Sequence, residues 1–168
     1  MVHVVVMGVS ATGKTTVGKH LAEELGAEFI EGDDLHPRRN IEKMTQGIPL
    51  TDEDRWPWLQ AIAELVAVKD YEGVSTVVTC SALKRSYRDV LRDAAPTFFV
   101  HLEAPFDVLS GRMQHRTKHF MPTALLRSQF DTLEPLGPDE QGQVVDVSPP
   151  EDEVLEEAVN AVRTHYLS

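Results

Sequence analysis

Short apolar runs alternate along the chain with stretches in which apolar residues recur at helical spacing. The apolar runs predict five strands, and three of these are apolar at nearly every position, as strands buried on both faces are. The predicted strands are Val2–Gly8, Ala27–Ile30, Ser75–Cys80, Thr97–Leu102 and Gln143–Val147. The predicted helices are Lys14–Leu25, Pro57–Val68, Lys84–Arg92, Phe106–Gln114, Thr123–Leu133 and Pro149–His165. This alternation predicts an α/β fold in which a parallel sheet carries helices on both faces.

Two stretches interrupt the alternation and are predicted to be irregular loops, Glu31–Trp56 and Arg116–Pro122. Both are polar or contain Gly and Pro, and both hold clusters of ionisable residues, which is typical of functional loops. Neither has the composition of a linker, and we find no internal repeat. We therefore expect residues 1–168 to form a single domain.

Composition narrows the classes of partner. The chain has 27 Asp and Glu against 16 Lys and Arg, a formal net charge of −11, which argues against a nucleic-acid partner. Its apolar runs are far shorter than the ~18 residues of a membrane span, and the apolar start of the chain lacks the basic segment of a signal peptide. Cys80 is the one cysteine, so no intrachain disulfide can form. These features predict a cytoplasmic protein that binds no membrane.

The first predicted strand leads into a phosphate-binding motif. Residues 8–15 read Gly-Val-Ser-Ala-Thr-Gly-Lys-Thr, a full match to G-x-x-x-x-G-K-[ST]. The glycines allow backbone N–H groups to converge on a phosphate, Lys14 reaches the β- and γ-phosphates, and the Thr15 hydroxyl is placed to coordinate Mg²⁺ directly. We expect ATP to contact Gly8, Val9, Ser10, Ala11, Thr12, Gly13, Lys14, Thr15 and Thr16.

The position of the acidic residues indicates which kind of P-loop protein this is. No N-K-x-D motif of a GTPase occurs, and the third strand does not end in an aspartate. Instead, Glu31, Asp33 and Asp34 follow the second strand, whose carboxyl end opens onto the same crevice as the phosphate loop. This arrangement favours a small-molecule kinase in which Asp33 deprotonates the substrate hydroxyl. Glu31 is either an outer-shell group for Mg²⁺ or a plain strand-end acid.

Several blocks beyond the phosphate loop resemble the gluconokinase family. They include Gly32-Asp33-Asp34-Leu35-His36-Pro37, Lys43-Met44, Asp54-Arg55, Pro57-Trp58-Leu59, Cys80-Ser81-Ala82-Leu83-Lys84, Tyr87-Arg88-Asp89, His119-Phe120-Met121-Pro122 and Ser128-Gln129-Phe130. The resemblance runs in order from Gly8 to about Glu134. Two positions depart from the family pattern: Ala11 stands where glycine is common, and Glu31 where aspartate is common.

The resemblance implies a P-loop NTPase fold of the nucleoside-monophosphate-kinase and shikimate-kinase type. It implies a five-stranded parallel sheet, a substrate-binding insertion at about residues 31–56 and a short lid at about residues 112–122. The implied reaction is phosphorylation of D-gluconate by ATP, with Mg²⁺, to give 6-phospho-D-gluconate, and the implied state is a homodimer. Two alternatives stay open: a kinase of another small hydroxy acid such as shikimate, or a nucleotide-binding module without catalysis.

A sugar acid needs fixed cations for its carboxylate and hydrogen-bonding groups for its hydroxyls. The candidates for these contacts are Asp33, His36, Arg55, Ser81, Lys84, Arg88, His119 and Gln129. Lys84 and Arg88 are four residues apart and share a helical face. Arg88 could instead belong to an ordinary charged helix surface, and His36 could pack locally in its turn.

Arg112 and Arg116 are also four residues apart, in the first half of the implied lid. By resemblance to related kinases, we expect both to contact ATP and Arg116 to stabilise the charge of the transition state. The alternative is a solvated basic helix end that complements its own helix dipole.

Overall fold

A central parallel sheet organises the fold. The computed structural model describes residues 1–114 and 123–167. Within these ranges the sheet has five strands, all parallel, in the order β2-β3-β1-β4-β5. The strands are β1 His3–Met7, β2 Glu28–Glu31, β3 Thr76–Thr79, β4 Phe98–Glu103 and β5 Gly142–Asp146. The predicted five-stranded parallel sheet is confirmed, and every strand end lies within one residue of its predicted place.

Seven α-helices are found in the described part of the chain. They are α1 Lys14–Leu25, α2 Arg38–Thr45, α3 Asp52–Tyr71, α4 Arg85–Ala94, α5 Phe106–Gln114, α6 Thr123–Thr132 and α7 Glu151–Leu167. A 3₁₀ turn covers Gly32–Leu35. Helices α1 and α5 have the predicted bounds, whereas the prediction of an irregular loop at residues 31–56 is wrong. That stretch holds the 3₁₀ turn, α2 and the start of α3.

The start of α3 explains part of this error. Thr51 precedes the helix, and its side-chain oxygen accepts a hydrogen bond from the Asp54 N–H at 3.2 Å. The Asp54 carboxylate in turn accepts from the Thr51 N–H at 2.9 Å, which completes a capping box. The helix therefore begins at Asp52, and Pro57 lies inside it rather than at its first position.

The core lies on both faces of the sheet. Every residue of β1 and β3 is buried, as expected for the middle of a parallel sheet. Helix α1 packs against α7, and α3 packs against α4. No helix in residues 1–114 or 123–167 combines the length and the apolar character needed to cross a bilayer.

The strand order places three loops side by side. Thr79 at the end of β3 is in register with Val6 of β1 and with Glu31 of β2. The segments that leave these three strands therefore begin at one edge of the sheet, where α/β proteins bind ligands. The phosphate loop, the turn with Asp33 and the segment from Ser81 to Lys84 all start there.

Candidate active site

The phosphate loop takes backbone angles that its sequence makes accessible. Gly8 has φ +140°, and a Cβ there would lie 2.5 Å from the Leu102 carbonyl oxygen, so the position requires glycine. Gly13 has φ +86° and immediately precedes α1. Ala11 also has positive φ, +69°, and so adopts a glycine-like conformation at a cost of about 1–2 kcal/mol.

Lys14 closes over this loop at the start of α1. Its Nζ donates to the carbonyl oxygens of Gly8 at 3.0 Å and Val9 at 2.9 Å. In residues 1–114 and 123–167, no side chain caps the N-terminus of α1. A helix N-terminus and an ammonium facing one space are suited to polyphosphate binding.

Glu31 connects the second strand to the phosphate loop. Its Oε2 accepts a hydrogen bond from the Thr15 hydroxyl at 2.7 Å, and its Oε1 accepts one from the Thr79 hydroxyl at 2.5 Å. The next residue must be glycine, because a Cβ on Gly32 would lie 1.9 Å from the Thr79 carbonyl oxygen. The Thr15 hydroxyl and the Glu31 carboxylate therefore form a pair of adjacent oxygen donors, the ligand type that Mg²⁺ prefers.

Asp33 lies in the 3₁₀ turn that follows β2. Its side chain is 75% exposed, and its Oδ1 lies 3.8 Å from His36 Nε2. The pKa of Asp33 is raised above the ordinary value, first because surrounding protein reduces its solvation and then because the Glu31 and Asp34 carboxylates repel its charge. Lys14 opposes this rise, so Asp33 lies within electrostatic reach of the phosphate-binding ammonium.

His36 is enclosed beside Asp33. Its ring stacks on Trp58 with centroids 4.0 Å apart, and Trp58 Nε1 donates to the Gly32 carbonyl oxygen at 2.8 Å. Asn40 Nδ2 donates to the Asp54 carbonyl oxygen at 2.8 Å and lies 3.2 Å from His36 Nδ1. The amide nitrogen of Asn40 can only donate, so His36 Nδ1 is the acceptor of this hydrogen bond. The proton of neutral His36 is therefore on Nε2, which faces Asp33.

Burial keeps His36 neutral at physiological pH. Loss of solvation, assisted by the positive charge of Arg55, lowers the pKa of His36 to about 4. The predicted alternative, local packing of this histidine, agrees with its stacking on Trp58. The same ring holds its Nε2 3.8 Å from Asp33 Oδ1.

A cluster of polar side chains lies where α3 and α4 begin. Lys84 Nζ donates to both oxygens of Asp52, at 3.1 and 3.3 Å, and the Tyr87 hydroxyl donates a short hydrogen bond to Asp52 Oδ1. Arg55 Nη1 donates to the Tyr87 hydroxyl oxygen at 3.0 Å. Two predicted pocket cations, Lys84 and Arg55, are thus brought together on one tyrosine. Ser81 lies close by in sequence, and its carbonyl oxygen accepts from the Gly8 N–H at 3.2 Å.

Arg88 does not join these cations, and its predicted role in substrate binding is revised. The side chain is fully buried, and its guanidinium donates to Glu140 at 2.7 and 3.0 Å. Further bonds go to the carbonyl oxygens of Ala82 at 2.9 Å, Leu83 at 3.4 Å and Pro135 at 3.4 Å. These bonds engage every nitrogen of the guanidinium within the protein. Arg88 therefore holds the loop that carries Ser81 and Lys84 instead of facing a ligand.

The remaining predicted residues lie around the phosphate loop and beyond. The Gln129 side-chain oxygen accepts from the Ser10 N–H at 2.7 Å, which joins α6 to the phosphate loop. Arg112 Nη2 donates to the Val147 carbonyl oxygen at 2.6 Å, at the end of β5. Thr16 is exposed in the first turn of α1. Arg116 and His119 lie outside the described residues.

Sequence reasoning missed four contributors to this region: Asp52, Thr79, Tyr87 and Glu140. Asp52 could have been placed by the Thr51-x-x-Asp54 pattern, which is a capping-box signal for a helix that starts at residue 52. Nothing in the sequence distinguishes Glu140 from a solvated acid. Its partner Arg88 is 52 residues away, and the fold alone brings the two together.

Known proteins match this chain in sequence and in fold. A family model described as an AAA domain matches residues 4–136. The thermosensitive gluconokinase of Escherichia coli (strain K12) is 45% identical over 160 residues, which are 94% of this chain and 86% of that protein. The crystal structure of a gluconokinase from Sinorhizobium meliloti 1021 has 51% identity and a TM-score of 0.89, over 97% of this chain and 92% of that chain.

A more distant likeness concerns the fold alone. The crystal structure of a shikimate kinase from Aquifex aeolicus vf5 has 18% identity and a TM-score of 0.67, over 98% of this chain and 98% of that chain. The P-loop kinase fold expected from the sequence is therefore confirmed.

Proposed function

The chain belongs to the gluconokinase family, and from this premise we propose that it transfers the γ-phosphate of ATP to D-gluconate, giving ADP and 6-phospho-D-gluconate. One structural observation supports this proposal through individual residues. A complete phosphate loop, a carboxylate at Asp33 and the cations Lys84 and Arg55 all lie at the carboxyl edge of one parallel sheet. That edge offers the three things the reaction needs: a polyphosphate site, a proton acceptor and a site for a carboxylate.

The phosphate loop binds and neutralises the triphosphate. Residues Gly8 to Thr16 surround the phosphates, and Lys14 Nζ exchanges its bonds to the Gly8 and Val9 carbonyl oxygens for bonds to phosphate oxygens. Such fixed charge stabilises the transferring phosphoryl group, with little covalent work left for the protein.

The oxygens of Thr15 and Glu31 fit a role in holding Mg²⁺. The Thr15 hydroxyl would be the direct ligand, and Glu31, fixed by Thr79, would hold the outer shell. When bound, the ion would supply positive charge that offsets the charge developing on the transferred phosphoryl group.

Asp33 accepts the proton of the primary hydroxyl of gluconate. The hydroxyl oxygen forms a bond to the γ-phosphorus, the bond from that phosphorus to the β–γ bridging oxygen breaks, and ADP leaves. The raised pKa of Asp33 suits this role, because a weaker acid in its protonated form is a better base when ionised. We assign His36 Nε2–H, which lies 3.8 Å from Asp33 Oδ1, to a substrate hydroxyl.

The pocket and the lid complete the proposal. Lys84 and Arg55 bind the carboxylate of the sugar acid, and Ser81, Gln129 and His119 bind its hydroxyls. Arg112 and Arg116 contact ATP, and Arg116 stabilises the charge of the transition state. For Arg112, the support is its bond to the Val147 carbonyl oxygen, which holds the guanidinium where β5 ends, at the edge of the sheet where α/β proteins bind ligands.

A coupled ADP-release assay tests this function. ATP·Mg²⁺ is supplied with D-gluconate, shikimate, D-glycerate, a nucleoside monophosphate or water as acceptor. We expect turnover on D-gluconate and only background release with the others. Turnover on a different acid would retain the phosphate chemistry and overturn the pocket assignment, and ATP binding without turnover on any acceptor would favour a silent binding module.

The homodimeric state and the cytoplasmic location remain predictions from the sequence resemblance. Light scattering on the purified chain across a tenfold dilution tests the first, and fractionation of cells that express the chain tests the second.

A further inference from the structure

We propose that Asp52 occupies the place of the substrate carboxylate, so that a sugar acid must displace this side chain to bind and Asp52 sets the affinity for anionic substrates. The inference rests on the proposed function, because it assumes that Lys84 and Arg55 receive the carboxylate of the substrate. It assigns a role to a residue that neither the sequence motifs nor the reaction scheme requires.

The contacts of Asp52 are those expected of a bound carboxylate ligand. Lys84 Nζ reaches both of its oxygens, at 3.1 and 3.3 Å, and the Tyr87 hydroxyl donates to Oδ1. Arg55 supports the same hydroxyl at 3.0 Å. Ammonium and hydroxyl donors that converge on one carboxylate form the type of site that would recognise a small organic acid.

Both cations lie against one aromatic ring, which fixes their position. Arg55 Cζ is 5.3 Å and Lys84 Nζ is 5.7 Å from the centroid of the Tyr87 ring. Tyr87 is itself buried and meets Trp56 edge-to-face at 5.5 Å. The donors are therefore held by packing rather than by Asp52 alone, and they stay in place when the carboxylate on them is exchanged.

The charge balance makes Asp52 and the substrate competitors. The hydrogen bonds from Tyr87 and Lys84 lower the pKa of Asp52, so it is ionised wherever the enzyme would work. A second carboxylate on Lys84 would meet this negative charge at close range, which is unfavourable. One of the two carboxylates must leave.

Asp52 can leave without disturbing the helix that carries it. Its side chain is 40% exposed, so it can turn into solvent. It is the first residue of α3, where a carboxylate is favoured by the helix dipole even without a partner. The start of α3 is fixed independently by the capping box between Thr51 and Asp54.

The substitution Asp52→Asn tests the inference, with Glu53→Gln as the matched control. Both variants remove one negative charge from the first turn of α3. Glu53, however, is exposed and makes no hydrogen bond or ion pair with Lys84, Tyr87 or Arg55. We expect Asp52→Asn to lower the KM for D-gluconate about three- to fivefold, the strength of a half-exposed ion pair, with kcat within about twofold. Glu53→Gln should leave the KM unchanged. The inhibition constant of D-glucitol, the neutral polyol that lacks the carboxylate, should not fall in either variant.

Three results would overturn the inference. An unchanged or raised KM in Asp52→Asn would mean that Asp52 orients Lys84 for the substrate. An equal fall in the KM for D-gluconate in both variants would indicate a general charge effect. A fall in the inhibition constant of D-glucitol as well would indicate a change in pocket shape. If Asp52→Asn lowers the melting temperature, Asp52→Ser replaces it, since serine also suits a helix start. Wild-type protein without turnover on D-gluconate would instead overturn the proposed function, which keeps the two failures distinct.

Discussion

Arg88 and Glu140 form a buried ion pair in which Nε lies 2.7 Å from Oε2 and Nη2 lies 3.0 Å from Oε1. The same guanidinium donates to the carbonyl oxygen of Ala82, a residue with φ +47°, in the left-handed region. Such a conformation in alanine persists only where its surroundings enforce it. The ion pair therefore stabilises the strained turn that presents Ser81 and Lys84 to the crevice.

Removing Glu140 should destabilise the whole domain. Glu140→Ala leaves the Arg88 charge buried without its partner, and such a change costs about 3–5 kcal/mol. The free energy of unfolding from urea denaturation measures this loss. Asp139→Asn is the control, because the Asp139 bridge to Arg85 is largely exposed and its loss should cost less than about 1 kcal/mol. Equal losses in the two variants would contradict a structural role for the buried pair.

Lys14→Ala should abolish most of the activity and leave the fold intact. The ammonium at the phosphate loop supplies charge to the transferring group, and loss of such a group lowers kcat by about 10²–10³. Circular dichroism should show an unchanged fold. Lys19→Ala, an exposed change on the same helix, should retain activity. A Lys14 variant with near-normal turnover would remove the phosphate loop from the mechanism.

Asp33→Asn should affect the chemical step far more than nucleotide binding. Loss of the proton acceptor lowers kcat by about 10²–10⁴, while the KM for ATP should change little. Asp34→Asn, next to it in the same turn, should have a much smaller effect on kcat. An unchanged kcat in Asp33→Asn would show that another group takes the proton.

Because two histidines are buried, the free energy of unfolding should fall as the pH is lowered from 6.5 to 4. Burial lowers the pKa of His36 to about 4, with a contribution from Arg55, and burial together with Arg88 and Lys14 lowers that of His101 to about 4. The unfolded chain binds these protons below about pH 6.5, whereas the folded protein does not, so acid favours unfolding.

Urea denaturation at pH 7 and pH 5 measures this effect. Each histidine should contribute about 2 kcal/mol to the loss between the two values. His101→Gln should reduce the loss of stability between pH 7 and pH 5 by about 2 kcal/mol, because glutamine does not titrate. Stability that stays level from pH 7 to pH 5 would contradict the lowered pKa values. A separate loss of stability is expected below pH 4.5, where Glu140 of the unfolded chain becomes protonated. Burial raises the pKa of Glu140, but hydrogen bonds from Arg88, Gly137 and Arg92 outweigh this effect and lower the pKa to about 2.

The parts of the fold that the sequence predicts are those governed by local pattern. The strands and α1 follow from apolar runs and from the motif at residues 8–15, and the placement of Glu31 at the same edge as the phosphate loop follows from parallel strands. The predicted start of α3 at Pro57 is wrong, because the capping box at Thr51 begins the helix at Asp52.

The site is less predictable where a side chain's role depends on a distant partner. Lys84 and Arg88 share a helical spacing, yet Lys84 meets Asp52 in the crevice while Arg88 is buried against Glu140. Spacing along a helix does not indicate which face the neighbouring elements cover. Gln129 likewise reaches Ser10 across 119 residues of sequence, a contact that chain folding alone determines.

Identification of the product by ³¹P and ¹³C nuclear magnetic resonance tests the central claim most directly. The purified chain is incubated with ATP, Mg²⁺ and uniformly ¹³C-labelled D-gluconate. The account predicts one ADP per phosphate ester, with phosphorus–carbon coupling at C6 and its neighbour C5. Inorganic phosphate in place of an ester, or an ester at a different carbon, would contradict it.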